Sequence, residues 1–296
     1  MKASAPAKII LFGEHAVVYK KHALVTAVNL RCYADVRKSS NFKIISPLGT
    51  TSLDFEVHPW ISFAIKNFSK IKPIEGAEVK IESEIPIASG LGSSAAVTVS
   101  VLKALDAEFE AGLTNDDIYE IARQVEIDVQ GMGSGTDPFI STLGGMWLVP
   151  KRERLKFKDF DILVVDTKEK SITSEMVRKV AELRDKYPDI INPIFDAIDG
   201  ITLKAVKVLK SEIDKEVNKN ELSELIFLNQ CLLKAIGVSS IKIDEIVEKL
   251  KEKGIAAKLT GAGGGGCVIA IGNIQNVDLE NSFIVKPEKE GVRIEQ

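Results

Sequence analysis

Residues 85–100 read IPIASGLGSSAAVTVS. Before them, AEVKIESEIP (77–86) alternates with the two-residue period of a half-buried strand. After them, from Ser94 to about Glu110, Ala95, Val99, Leu102, Ala104 and Leu105 recur at helical spacing. Gly90 and Gly92 therefore stand directly before a helix. A helix N-terminus leaves backbone N–H groups without intrahelical partners and carries partial positive charge, and a loop lacking Cβ atoms lets an anion approach those groups. The stretch reads either as a phosphate cradle, its serine hydroxyls adding donors or a metal ligand, or as a plain turn capped by Ser93 or Ser94. By themselves these residues leave both readings open.

Two familiar nucleotide signatures are excluded. No G-x-x-x-x-G-K-[ST] run exists in the chain. G-x-G-x-x-G/A occurs twice, at Gly90–Ala95 and Gly261–Gly266, in contexts foreign to a dinucleotide fold. The first follows several earlier strands, and the acids about 20 residues on, Glu108 and Glu110, continue a helix. The second, GAGGGG (261–266), runs into CVIAIG (267–272), a strand. Five glycines in six residues exceed what a hairpin needs and point to backbone held against a ligand or another loop.

Working outward, KIILFG (8–13), ALVTAV (23–28) and RCYADVRKS (31–39) read as strands. Thr114, with Asp117 three residues on, opens a second helix whose buried stripe is Ile118, Ile121, Ala122 and Val125. GMGSGTDP (131–138) reads as a loop and FISTLGGMWLV (139–149) as a strand, followed by the charged connection PKRERLKFKD (150–159). FDILVVDT (160–167) is a fresh strand. Helices are expected from about 172 to 253, with Gly254 at their end as a C-terminal cap, and AAKLT (256–260) and CVIAIG flank the second glycine loop as strands. Strands and helices mix without a strict βαβ rhythm, which indicates α+β domains divided near 154/155. No internal repeat or low-complexity segment interrupts them.

The 296 residues are 45% hydrophobic and 27% charged, with net charge −3, an ordinary globular balance. No basic excess suggests nucleic acid, and lysine runs at 205–220 and 248–253 alternate with acids as solvated helix faces do. No apolar run reaches the ~18–20 residues of a membrane span, and Gly13, Glu14 and His15 break the early apolar stretch, so neither membrane nor export is expected. Cys32, Cys231 and Cys267 fit no zinc or disulfide spacing; a cytoplasmic protein with three small core cysteines is the simplest reading.

Three separated stretches, APAKIILFGEHAVVY (5–19), PIASGLGSSAA (86–96) and KLTGAGGGGC (258–267), resemble the signature motifs of the GHMP kinases, ATP-dependent kinases of small molecules. Within that superfamily GEHAVVY (13–19) resembles the mevalonate kinases, as do QVEIDVQGMGSGTDPFISTLGG (124–145) and LNQCLLKAIGVSS (228–240), with short archaeal members the most alike. The resemblance implies a two-domain α+β fold: an N-terminal domain like ribosomal protein S5 domain 2, a ferredoxin-like C-terminal domain, and ATP in the cleft between them. It implies phosphorylation of the 5-hydroxyl of (R)-mevalonate and, by resemblance alone, a homodimer.

The same resemblance assigns roles. Pro86, Ile87, Ala88, Ser89, Gly90, Leu91, Gly92, Ser93, Ser94, Ala95 and Ala96 wrap the ATP phosphates. Ser94 and Glu126 hold Mg²⁺, a hydroxyl and a carboxylate being ordinary magnesium ligands. Asp137 contacts the substrate hydroxyl as general base with Lys8 beside it. Glu14 and His15 open the substrate pocket, and Gly261, Ala262 and Gly263 close over it. His22 and His58 are left structural. One departure stands out: the superfamily usually has glycine after VVY, and here Lys20 and Lys21 follow Tyr19, so the turn is expected to be made differently. Those lysines keep alive a kinase for a related alcohol: phosphomevalonate, a sugar or homoserine. A non-catalytic ATP sensor on the same scaffold is expected to lose Lys8 or Asp137, and both are present.

Overall fold

β1 (Lys2–Phe12) and β2 (Ala23–Lys38) form the antiparallel pair on which the rest is built. They belong to a computed structural model that describes the chain apart from residues 87–88, 132, 158–159, 212–214, 273 and 275–276, and apart from the side chains of 215–219. The two strands expected at 23–28 and 31–39 are one continuous strand, because β2 shifts register against β1 between Pro6 and Ala7, and again between Ile10 and Phe12, without breaking. β3 (Lys43–Ser46), β4 (Gly49–Thr51) and β5 (Ala77–Ser83) extend one side of this sheet in the order β1-β2-β5-β3-β4, with β3 and β5 parallel. The first half of β2 also pairs β6 (Met146–Val149), which pairs β7 (Glu153–Leu155).

Helix α2 (Ser93–Phe109) packs on β1 and β2, and α1 (Pro59–Ile71) and α3 (Asn115–Gln130) pack on α2 and on each other. Val99, Leu102 and Leu105 of α2 are fully buried, as their spacing requires. α3 begins as read: Thr114 accepts from the Asp117 N–H, and Asp117 reaches back to Thr114. Its stripe of Ile118, Ile121, Ala122 and Val125 is buried. The stretch read as loop and strand is different. Thr136–Leu143 is a helix, α4, and strand begins only at Met146. Pro138 lies in the first turn, where its missing N–H costs nothing, and Phe139 and Ile140 bury against the sheet. Asp137 thus sits in a helix's first turn rather than in a loop.

The expected division at 154/155 cuts β7, which still pairs β6 of the first sheet up to Leu155; the second sheet starts with β8 (Ile162–Asp166). β8 joins β9 (Ala257–Thr260), β10 (Cys267–Ile271) and β11 (Ser282–Val285) in an antiparallel sheet ordered β11-β8-β10-β9. Numbered along the chain this is 4-1-3-2, the ferredoxin-like order. Helices α5 (Thr173–Lys186), α6 (Pro188–Lys210), α7 (Lys215–Ala235) and α8 (Ile241–Glu252) fill the interval between β8 and β9, as expected. Gly254, at φ +73, follows α8 where a C-terminal cap was read. The chain then returns to the first sheet: β12 (Arg293–Ile294) pairs β1, and the Gly145 N–H donates to Glu288. Arg31, buried, donates to Gly291 and to Ser4 and so clamps this last segment. Among the described residues no helix is long and apolar enough to cross a membrane.

Of the cysteines expected in the core, Cys32 and Cys267 are buried, and burial pushes their thiols up to about 11 and about 12. Cys231 is exposed, because α7 turns that face to solvent. His58 bridges Ser46 and Thr51, and His22 bonds Asp199.

Candidate active site

The serine-capped reading of 85–100 fails at Gly92. This glycine is the N-cap of α2, at φ +76 and ψ +25, and no side chain caps the helix. Neither Ser93 nor Ser94 plays the capping role, so the first N–H groups of α2 stay available to an anion. Gly92 is glycine for a second reason: a Cβ there would lie 2.8 Å from Lys8 Cγ. The loop is fastened below the helix by Lys8 N–H donating to Leu91 (2.9 Å) and by the Ser89 hydroxyl donating to Pro86 (2.8 Å). Leu91, Ala95 and Ala96 are buried anchors, while Gly90, Gly92, Ser93 and Ser94 are partly open. Ile87 and Ala88 lie outside the described residues.

Strand β1 carries Lys8 up to this loop, and α4 brings Asp137 to meet it. Lys8 Nζ lies 3.2 Å from Asp137 Oδ1, the ammonium 5% and the carboxylate 35% exposed. One carboxylate oxygen therefore has a fixed cation while the group still faces solvent. Glu126 approaches from the end of α3, where its Oε2 accepts the Gly135 N–H at 3.0 Å. Gly133 makes room, since a Cβ there would sit 2.3 Å from that oxygen. Burial, and then the negative charge of Asp137, pushes Glu126 up to about 7.

Two carboxylates crowded together with one ammonium between loop and helix leave negative charge that a divalent cation would relieve. Glu126 and Ser94 are hard oxygen donors suited to magnesium, and among the described residues the Ser94 hydroxyl has no hydrogen-bond partner. No group of three or more His, Cys, Asp or Glu could hold a metal among the described residues. The donors fit an ion carried in largely by a phosphate ligand.

The second glycine loop is pressed against other backbone on nearly every side. A Cβ on Gly263 would meet the Val238 carbonyl at 2.1 Å, one on Gly265 the Glu169 carbonyl at 2.7 Å, and one on Gly266 the Ser89 carbonyl at 2.9 Å. Gly264 N–H donates to Val238, Gly266 N–H to Glu169, and the Ser171 hydroxyl to Gly263. Gly90 and Gly261 face each other in contact. The two glycine loops thus form one surface, and the density of glycine follows from loop-on-loop packing.

Glu14 and His15 lie where β1 leaves the sheet. His15 has φ +59 and ψ −45, and the Ala16 N–H returns to the Glu14 carbonyl at 2.6 Å, a γ-turn of the strained positive-φ form. Its Nε2 lies 2.8 Å from the Ala262 carbonyl, and burial lowers its pKa. Glu14 does not open onto a pocket: it is fully buried, paired with Lys258 and bonded by Asn229. Lys258 and Asn229 were missed by sequence reasoning; a lysine inside the apolar strand AAKLT was the available signal, because a buried charge demands a partner. Lys21 pairs with Asp196 and Lys20 is exposed, so Lys21 is already engaged by α6.

The chain matches the family profiles described as GHMP kinases N terminal domain, over residues 60–145, and GHMP kinases C terminal, over residues 210–280. It is 53% identical to the mevalonate kinase of Archaeoglobus fulgidus, covering 100% of both chains. It is 35% identical to the mevalonate kinase of Pyrococcus horikoshii, covering 99% of this chain and 97% of the other. The crystal structure of the Methanococcus jannaschii mevalonate kinase superposes with a TM-score of 0.80 at 30% identity, covering 100% and 98%.

Proposed function

The chain belongs to the mevalonate kinases of the GHMP kinase family, and from that membership we propose how its own residues transfer the γ-phosphoryl of ATP to the 5-hydroxyl of (R)-mevalonate. The observation that carries the residue assignment is the Lys8–Asp137 contact of 3.2 Å beside an uncapped helix N-terminus.

Phosphoryl transfer asks for positioning and charge neutralisation. The free N–H groups of α2 and the loop from Pro86 to Ala96 bind the ATP phosphates. Asp137 accepts the proton of the mevalonate 5-hydroxyl as its oxygen bonds the γ-phosphorus and the bond to the β-phosphate oxygen breaks, releasing ADP. Lys8 holds Asp137 in place and offers positive charge to the oxygens of the transferring group. Glu126 and Ser94 would hold Mg²⁺, which supplies further neutralisation of phosphate charge when bound. His15 and the 261–263 backbone form the wall that reads mevalonate, and Glu14 supports that wall from within the protein. The homodimer implied by resemblance is part of the same reading and is tested by light scattering.

An ADP-release assay with MgATP and a panel of mevalonate, phosphomevalonate, galactose and homoserine tests the proposal, with Asp137→Asn alongside. Turnover on mevalonate that falls ~10²–10⁴-fold in the variant is expected. Turnover on phosphomevalonate instead overturns the substrate; an unimpaired variant overturns the role of Asp137.

A further inference from the structure

Three ties cross from the end of β1 to the segment around β9. The Ile10 N–H donates to Thr260 Oγ1 (3.2 Å), and that hydroxyl donates back to the Ile10 carbonyl (2.9 Å). His15 Nε2 reaches the Ala262 carbonyl. Between them, Lys258 Nζ bonds Glu14 Oε1, with both side chains 0% exposed. Lys258 also donates to the Leu259 carbonyl (2.7 Å), and the second Glu14 oxygen accepts from Asn229 Nδ2 (3.3 Å). Burial opposes both charges, raising Glu14 and lowering Lys258, so the pair is costly to keep. A buried ion pair is weak evidence for stability and can instead fix one arrangement among several.

What the pair fixes is next to it. Glu14 supplies the carbonyl that closes the γ-turn at His15, a conformation that survives only where its surroundings dictate it. We infer that Lys258 is a positioning residue: through Glu14 it holds the strained turn that sets the His15 imidazole against Ala262, and thereby shapes the mevalonate wall. The inference rests on the substrate reading above. Because a carbonyl faces Nε2, that nitrogen carries the ring hydrogen, which gives the arrangement a spectroscopic signature.

The test uses the double variant Glu14→Gln/Lys258→Met, which removes both charges at nearly constant volume and so keeps the fold, with Glu14→Gln alone as the conservative rescue. In that single variant Lys258, lowered by burial and no longer facing a carboxylate, sheds its charge and still donates to the amide oxygen, while the new NH₂ meets Asn229, whose amide flips to present its unpartnered Oδ1. The double variant is expected to melt within a few degrees of wild type. Its KM for mevalonate should rise at least ten-fold and its KM for ATP less than two-fold, with loss of the sharp His15 Nε2–H resonance. Glu14→Gln should keep the resonance and a mevalonate KM within three-fold. A folded double variant that retains the resonance overturns the inference, as does one whose mevalonate KM stays within two-fold. If wild type leaves mevalonate untouched, the substrate reading falls, and the resonance alone still decides whether the pair holds His15.

Discussion

Gly92→Ala perturbs two things at one atom. The residue sits at φ +76, in the left-handed region, where a side chain costs ~1–2 kcal/mol. With ~2.1 cal/mol/K per residue over 296 residues, an unfolding entropy of ~0.6 kcal/mol/K turns that cost into a Tm loss of ~2–3 °C. The new Cβ would also stand 2.8 Å from Lys8 Cγ and 3.2 Å from Cε. Relief to ordinary contact requires a shift of ~0.6 Å in a lysine that is held at its far end by Asp137 and almost enclosed. A misplacement of ~1 Å near the chemistry can cost ~10²-fold, so ~0.6 Å predicts about a ten-fold fall in kcat. The control is Gly112→Ala, at φ +74 with no atom within 4 Å of its Cβ: the same strain with nothing to push. Both proteins are melted and assayed for ADP release at saturating mevalonate and MgATP. A Tm loss in Gly92→Ala at least as large as in Gly112→Ala is expected, with a kcat loss only in Gly92→Ala. A Gly92→Ala enzyme with kcat within two-fold of wild type refutes the reasoning, because Lys8 would then work without its observed position.

Glu126→Gln should raise the Mg²⁺ concentration for half-maximal activity at least ten-fold, comparable to or beyond the loss seen when a metal ligand's support is removed, and a magnesium titration of the initial rate at fixed ATP reads it. His15 is held below its ordinary 6.5 by burial, so the unfolded chain takes up the proton first as pH falls. Its stabilising contribution is complete above about 6.5 and declines on the acid side; His15→Gln should therefore flatten the loss of stability between about pH 6.5 and 5 in urea titrations, and an unchanged slope counts against it. Gly291→Ala would place a Cβ 1.9 Å from the Thr142 carbonyl, where the last segment crosses α4. It should cost ~1–3 kcal/mol, seen as a lower Tm, and an unaltered melt would show that the segment is not clamped there.

Elements whose own residues declare them were legible in the sequence. α3 carries its capping box and stripe, α2 its buried spacing, and β9 and β10 their apolar runs around a glycine loop. α1 went unread although Ile61, Ala64, Ile65 and Phe68 stand at helical spacing. α4 was read as strand because an eight-residue helix offers too few periods, and Phe139 and Ile140 favour strands until the sheet beneath them decides otherwise. β12 is two residues long, and its pairing with β1 is a contact across nearly the whole sequence that no local pattern encodes. The site divides the same way. Lys8, Glu126 and Asp137, named from separate motifs, lie together in the structure. Glu14 was assigned to the pocket because its motif marks it as important, and nothing local shows whether a carboxylate points to solvent or to a lysine 244 positions away.

Lys20 shows how far a missing glycine can mislead. Its absence from the usual place suggested a different turn, yet Lys20 itself adopts φ +65 and ψ +17, the geometry glycine would take. The surroundings explain how a lysine is kept there. Tyr19 before it is stacked on Phe195 at 4.5 Å and lies under the Arg184 guanidinium, while Lys21 and His22 after it are tied to Asp196 and Asp199 of α6. With both neighbours anchored, the chain between them has little choice, and a strain of ~1–2 kcal/mol falls on those contacts. The exposed side chain then extends into solvent without a steric conflict of its own. Conformation at this turn is set by what holds its two ends, and the identity of the residue between them decides only how much strain those contacts must absorb.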